Sequence, residues 1–260
     1  MVTVNAGSPP IALWAVPRSR STAFLRVMLE RGDLEVVHEP FSYLSEQGHF
    51  DLAGLRATSM PDLLELLWKR SAPGRRVFFK DTSDYRYDAL LRDGNLCRHL
   101  VNTFMIRDPE AAVASHYAVN PEVTVDEVGY EYLHTIFQAV RDRSGEVPLV
   151  IDGDDLVADP DGMVRAYCER VGLPFVGEAL RWQPGQQAAW QRTGHWHREV
   201  DHSTGLTPAR RQHRERPDNN PHLARLVEHH RPFYEAMRRH RLVSDGLARQ
   251  AAADAGQVPR

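Results

Sequence analysis

The stretch Ile11 to Gly32, IALWAVPRSRSTAFLRVMLERG, constrains this chain more than any other. Ile11 to Val16 form an unbroken apolar run, too continuous for a half-exposed strand and short enough for one buried on both faces. Pro17 stops it. Arg18-Ser19-Arg20-Ser21-Thr22 follow, and then Phe24, Val27 and Met28 fall on one stripe of a helix that Gly32 ends. The junction offers hydroxyls, two guanidinium groups and the unpaired N–H groups of a helix start, with no acidic residue before Glu30. Such a junction attracts an anion, with phosphate or sulfate as the natural guest. A plain strand–turn–helix in which Ser19 or Ser21 caps the helix is the alternative, and two mutually repelling arginines in one turn count against it. The loop has no G-x-x-x-x-G-K-[ST] pattern, so its anion would be held by arginine forks and hydroxyls.

A chain of 260 residues with 42% hydrophobic content can bury a full core. Its formal net charge of −3 gives no signal for nucleic acid or a membrane surface. Cys97 and Cys168 match no zinc or redox spacing and read as reduced thiols. No apolar stretch reaches membrane-spanning length and the N-terminus lacks a secretion signal, so the expectation is a soluble cytoplasmic globular protein. Oligomeric state cannot be read from the sequence.

Along the chain, residues 1–9 read as an irregular lead-in. Leu34 to Val37 is a second strand ending at His38-Glu39-Pro40, and residues 41–58 read as an irregular acceptor-site wall. Pro61 to Arg70 is an amphipathic helix. Arg75 to Asp81, Leu100 to Ile106 and Pro148 to Ile151 are further strands, with helices at Glu110 to Ala118, Asp126 to Arg143 and from Pro160 to Val171. Strands alternating with helices imply a parallel, helix-covered α/β sheet, whose ligands lie at the strand ends. Residues 181–222 lack periodicity and read as a lid or acceptor-site loop. His222 to Arg241 is helical, and residues 248–260 read as a frayed tail.

Two motifs together resemble the sulfotransferases that use 3′-phosphoadenosine 5′-phosphosulfate (PAPS). One is the strand followed by Pro17-Arg18-Ser19-Arg20-Ser21-Thr22; the other is a strand followed by Arg107, Pro109 and Ser115. A looser match is Asp154-Asp155-Leu156, Pro160 and Gly172-Leu173-Pro174. The resemblance implies a three-layer fold like that of P-loop NTPases, in one domain over residues 1–260. It implies that Arg18, Ser19, Arg20, Ser21 and Thr22 hold the 5′-phosphosulfate and that Arg107 and Ser115 hold the 3′-phosphate. Arg192 and Gly194 sit in an echo of the family's C-terminal nucleotide-binding element. Arg20 stands where the family has glycine, and Lys80-Asp81-Thr82 replaces its Lys-Thr-His.

Sulfuryl transfer needs positioning, a base for the acceptor proton and stabilisation of charge on the leaving oxygen, with no metal. His38 is the first choice as base, with an ordinary pKa near ~6.5. Glu39 could orient or replace it, and Asp81 is a further candidate base. Lys80 and Arg18 are the electrophiles for the bridging oxygen. Glu39, Phe41, Asp81 and Trp196 are expected beside the acceptor. His195, His197 and His202 invite a zinc reading without convincing spacing. A nucleotide-dependent phosphotransferase and a nucleotide-binding protein without catalysis are the rival readings.

Overall fold

The computed structural model describes residues 8–72, 74–93, 96, 99–208 and 213–255. Five parallel strands, Ile11–Ala15 (β1), Leu34–His38 (β2), Arg76–Thr82 (β5), Val101–Ile106 (β6) and Leu149–Asp152 (β7), form one sheet in the order β2-β5-β1-β6-β7. Phe50–Leu52 (β3) and Leu55–Ala57 (β4) pair separately as a small antiparallel hairpin. The continuous apolar run puts β1 at the centre, flanked by β5 and β6. Ala12, Trp14 and Val16 join one core layer, and Ile11, Leu13 and Ala15 join the other. This is the period-two alternation of a strand buried on both faces. The expected α/β class with a helix-flanked parallel sheet is borne out.

The helices are Ser21–Glu30 (α1), Pro40–Gln47 (α2), Met60–Arg70 (α3), Asp88–Asp93 (α4), Pro109–Tyr117 (α5), Val125–Val128 (α6), Tyr130–Ser144 (α7), Gly153–Ala158 (α8), Pro160–Val171 (α9), Gly194–Asp201 (α10), Pro221–Arg238 (α11) and Asp245–Ala255 (α12). Residues of α3, α7 and α11 pack on the layer around Trp14, and residues of α1 and α9 on the opposite one. Trp14 is 1% exposed, lies 5.6 Å from both Phe79 and Tyr87, and donates its indole N–H to Asn102 Oδ1 at 2.8 Å. Its burial is worth roughly 2–3 kcal/mol. No helix among the described residues is long and apolar enough to cross a membrane.

Three segments depart from the expectations. Residues 41–58 are not irregular: α2 starts at Pro40, after Glu39 in the left-handed region (φ 46°). Its first-turn donors are capped by Asp81, whose Oδ2 accepts from Phe41 N at 2.7 Å and Oδ1 from Ser42 N at 3.1 Å. A cap from 40 residues away leaves no local signature. The expected aperiodic lid, residues 181–222, holds the helix α10 over Gly194–Asp201. The expected frayed end is helical over Asp245–Ala255, its start supported by Ser244 Oγ accepting from Leu247 N. Residues 1–7 of the lead-in, residues 209–212 of the expected lid, residues 256–260 of the tail and Cys97 lie outside the described residues. Cys168 is a buried free thiol.

Candidate functional site

Parallel strands bring all five carboxyl ends to one edge of the sheet, and a cavity of about 840 Å³ opens there. Its first wall is the β1–α1 loop. Arg18 and Arg20 both adopt the left-handed region, at φ 63° and 73°. No side chain caps α1, so the donors of its first turn are left for whatever enters the cavity that Arg18, Arg20, Ser21, Thr22 and Ala23 line. Arg20, at the glycine position of the motif that it resembles, adopts the positive φ that glycine takes freely, at a cost of roughly 1–2 kcal/mol for a residue with a side chain. Its guanidinium is held by Asp154 Oδ1 at 3.0 Å, while its Nε is shielded from solvent without a partner.

Three further elements close this end. Arg107, at the end of β6, donates from Nε to Asp154 Oδ1 (3.3 Å) and from Nη1 to the Arg18 carbonyl (3.2 Å). Asp154 therefore bridges Arg20 and Arg107. Ser115 on α5 accepts from Arg18 Nε at 3.1 Å. From α10, the Trp196 carbonyl accepts from Arg18 Nη1 at 2.6 Å, and the Trp196 ring lies edge-on to His116 at 5.5 Å. Burial lowers the Arg18 pKa from its usual high value, against the opposing pull of Glu199. One end of the cavity is thus built from three arginines, a serine and an uncapped helix start, and it suits a dianion.

The other end holds Glu39, Tyr43, Glu46, Lys80, Asp84 and Tyr85. Register sets His38 beside Lys80 across β2 and β5, and the left-handed turn at Glu39 swings its carboxylate onto the Lys80 ammonium. Burial opposes the Glu39 charge; Lys80 overcomes it and holds the acid down at about 2. A hydrogen-bonded chain runs behind this pair. Tyr43 Oη meets Thr193 Oγ1, Thr193 Oγ1 meets His197 Nε2, and His197 Nδ1 meets Thr22 Oγ1, each at 3.2 Å. Burial pushes the His197 pKa down to about 2, so the imidazole is neutral.

Several expected site residues stand elsewhere. His38 does not line the cavity: its side chain is 0% exposed, neither ring nitrogen has a hydrogen-bond partner, and burial drops its pKa to about 4. Its neighbour Glu39 does line the cavity, with Oε1 3.6 Å from His38 Nε2. Phe41 packs in the aromatic core beside Trp14, and Asp81 is wholly buried as the cap of α2, its acid raised by burial to about 7. Neither reaches the cavity wall. The Ser19 hydroxyl turns inward to the Val16 carbonyl at 2.8 Å. Arg192 faces Gln47 and the Tyr43 ring, at the end away from the three arginines, and Gly194 opens α10 against the Gln186 side chain. Ser21, Thr22, Arg107, Ser115, Lys80 and Trp196 all line the cavity. Sequence reasoning missed Tyr43, Asp84, Tyr85 and Thr193, whose placement depends on tertiary contacts.

Ligand atoms of His38, Glu39 and His197 lie within 4.8 Å of one another, a set of metal-ligating types. The Lys80 ammonium already neutralises the only carboxylate in it. His195 and His202 lie outside this set; His202 bonds the Arg198 carbonyl on the surface.

Two proteins of Arabidopsis thaliana, branched-chain-amino-acid aminotransferase-like proteins 1 and 2, are 27% and 25% identical to this chain over 87% and 88% of its length. The chain spans 41% of the length of each of these relatives. The sulfotransferase domain of the Synechococcus PCC 7002 olefin synthase is 16% identical, with a TM-score of 0.43 over 86% of this chain and 96% of that domain. The sulfotransferase domain from the curacin biosynthetic pathway is 14% identical, with the same TM-score over 86% of this chain and 98% of that domain. The family model described as "Sulfotransferase domain" matches residues 10–241, which take in every strand of the sheet and both ends of the cavity. With its arginine-lined strand–helix junction inside that match, the chain belongs to the sulfotransferase domain family.

Proposed function

We propose that the chain catalyses transfer of a sulfuryl group from PAPS to a hydroxyl or amine of a small-molecule acceptor. The observation that carries this reading is the convergence of Arg18, Arg20, Arg107 and Ser115 on the uncapped start of α1, at one end of a cavity whose other end holds Glu39 and Lys80. The residues fit such a donor. Arg20 carries a buried Nε without a partner, and a doubly charged phosphate satisfies such a donor better than water does. PAPS supplies an activated sulfur and a stable leaving phosphate. Arg107 and Ser115 would hold its 3′-phosphate, and the first turn of α1 with Ser21 and Thr22 would hold the 5′ end.

Glu39 would accept the acceptor's proton. It is ionised through the neutral range, it lines the cavity, and the ring of His38 backs it. Lys80 has a second duty: an ammonium at this point stabilises negative charge growing on a leaving oxygen. As Lys80 turns from Glu39 toward that oxygen, the carboxylate loses the cation that holds its acidity down, and it becomes a stronger base. Positioning and charge stabilisation supply the remainder of the rate.

Calorimetric titration with 3′,5′-bisphosphoadenosine tests the reading. Micromolar binding to wild type, far weaker binding of AMP, and a loss of about 10- to 100-fold in Arg107→Ala are expected. Wild-type binding of AMP as tight as that of the bisphosphate would remove the 3′-phosphate site and with it the donor.

A further inference from the structure

The carboxylates lining the cavity fall into two groups. Glu39 is paired with Lys80, Glu110 with Arg231 and Asp218 with Arg216; Glu127 is the acid of the capping box that starts α6, and Glu199 faces Arg18 and Arg20. Glu46 and Asp84 form no ion pair among the described residues, and both stand at the Glu39 end. The Oδ1 atom of Asp84 is shielded from solvent and accepts no hydrogen bond. Tyr85 lines the same cavity, and its hydroxyl is pushed up to about 12 by burial and then by Glu46 and Asp84. Arg192, which also lines the cavity, is committed to Gln47 and the face of Tyr43, and Lys80 is committed to Glu39. Glu46 is exposed and solvated, whereas the shielded oxygen of Asp84 is costly unless a donor reaches it.

Resting on the sulfotransferase reading, we propose that the acceptor is a cationic amine: its ammonium sits between Glu46 and Asp84 beside Tyr85, and its nucleophilic hydroxyl lies at Glu39. The two ends of the cavity then carry opposite charge, arginine-rich for the donor and acidic for the acceptor. The arrangement sorts acceptors by charge, because an anionic molecule of the same shape meets two unpaired carboxylates at the place where the amine gains two charged hydrogen bonds. Bound next to Tyr85, the ammonium also meets an aromatic face.

Three phenols of one skeleton test this: tyramine, 4-ethylphenol and 3-(4-hydroxyphenyl)propionate. Each is titrated into the full chain with and without saturating 3′,5′-bisphosphoadenosine. Tyramine is expected to bind about tenfold tighter than 4-ethylphenol, with the propionate weakest. Glu46→Gln and Asp84→Asn should each shrink that preference several-fold, and the double variant should abolish it while nucleotide affinity stays unchanged. Equal binding of tyramine and 4-ethylphenol overturns the proposal. So does a preference that survives in the double variant, or failure of all three phenols to bind protein that holds the nucleotide. Failure of the donor reading looks different: wild type then ignores the nucleotide, while the nucleotide-free titration still ranks the three phenols by charge.

Discussion

Arg18 Nε donates to Ser115 Oγ over 3.1 Å, joining the first loop of the chain to α5 across 97 positions. The same guanidinium reaches the Trp196 carbonyl from its Nη1, so one side chain spans three walls of the cavity. In Ser115→Ala the arginine keeps only its tie to α10. Affinity for 3′,5′-bisphosphoadenosine is expected to fall by about tenfold, as for one lost charged hydrogen bond. The urea midpoint should barely move, since the site gives up a contact and the fold does not. Calorimetry and urea titration on the same preparation check both halves.

Gly153 lies directly under the anion-binding loop: a Cβ built there falls 2.3 Å from the Ser19 carbonyl oxygen. Gly153→Ala must therefore push the loop or α8 aside. A loss of about 1–3 kcal/mol is expected for overpacking of this kind. That corresponds to a fall of roughly 2–12 °C in the thermal midpoint for a chain of this size. Bisphosphoadenosine binding should weaken with it. Gly177→Ala, where a Cβ meets only the Phe175 ring at 3.4 Å or beyond, serves as the comparison and should leave both unchanged.

Lys80 is 1% exposed and its ammonium rests on Glu39. Lys80→Met strands a buried carboxylate and is expected to cost about 3–5 kcal/mol in urea unfolding. Adding Glu39→Gln removes the stranded charge, and the double variant should recover most of that loss. A double variant as unstable as the single one would show that Lys80 matters for its packing rather than its charge.

Burial, followed by the Glu39 carboxylate, raises the Asp84 acid to about 6. Lys80 and Thr82 pull the other way, while Tyr85 and the neutral His38 and His197 stay uncharged from pH 5 to 7. At pH 5 the Asp84 carboxyl is protonated, and at pH 7 it is an anion. Tyramine affinity should therefore rise with pH across this window, while 4-ethylphenol affinity stays flat. Asp84→Asn should remove the pH-dependent part. Because the folded pKa is the raised one, the stability Asp84 contributes is present below about pH 4 and is lost as the pH climbs through 6.

The β1–loop–α1 unit was legible from local chemistry: an apolar run, a proline stop, a hydroxyl-rich turn and a glycine end. Arg107 and Ser115 were legible only through the motif resemblance; the structure sets one just past the end of β6 and the other on α5. The other end of the cavity was not. Asp81 reads as a site acid at a strand end, but the partners that claim it come from α2 and Tyr87. His38 and Glu39 are neighbours in sequence; only the left-handed φ at Glu39 decides which of them faces the cavity, and no residue type announces it. Asp84 and Tyr85 sit in a turn after β5 whose neighbours, Glu39 and Glu46, lie about forty positions earlier.

Arg18 and the carbonyl that fixes it are 178 residues apart. At a synthesis rate of roughly 5–20 residues per second, about ten to forty seconds separate their emergence from the ribosome. Through that interval a cationic turn waits on a growing sheet, attractive to any polyanion nearby, nucleic acid included. A nascent chain halted before Gly194 would already own all five strands and every arginine of the anion end, yet lack the segment that orients Arg18. The anion end of this cleft therefore waits on the segment from Gly194 onward rather than on the sheet that carries it.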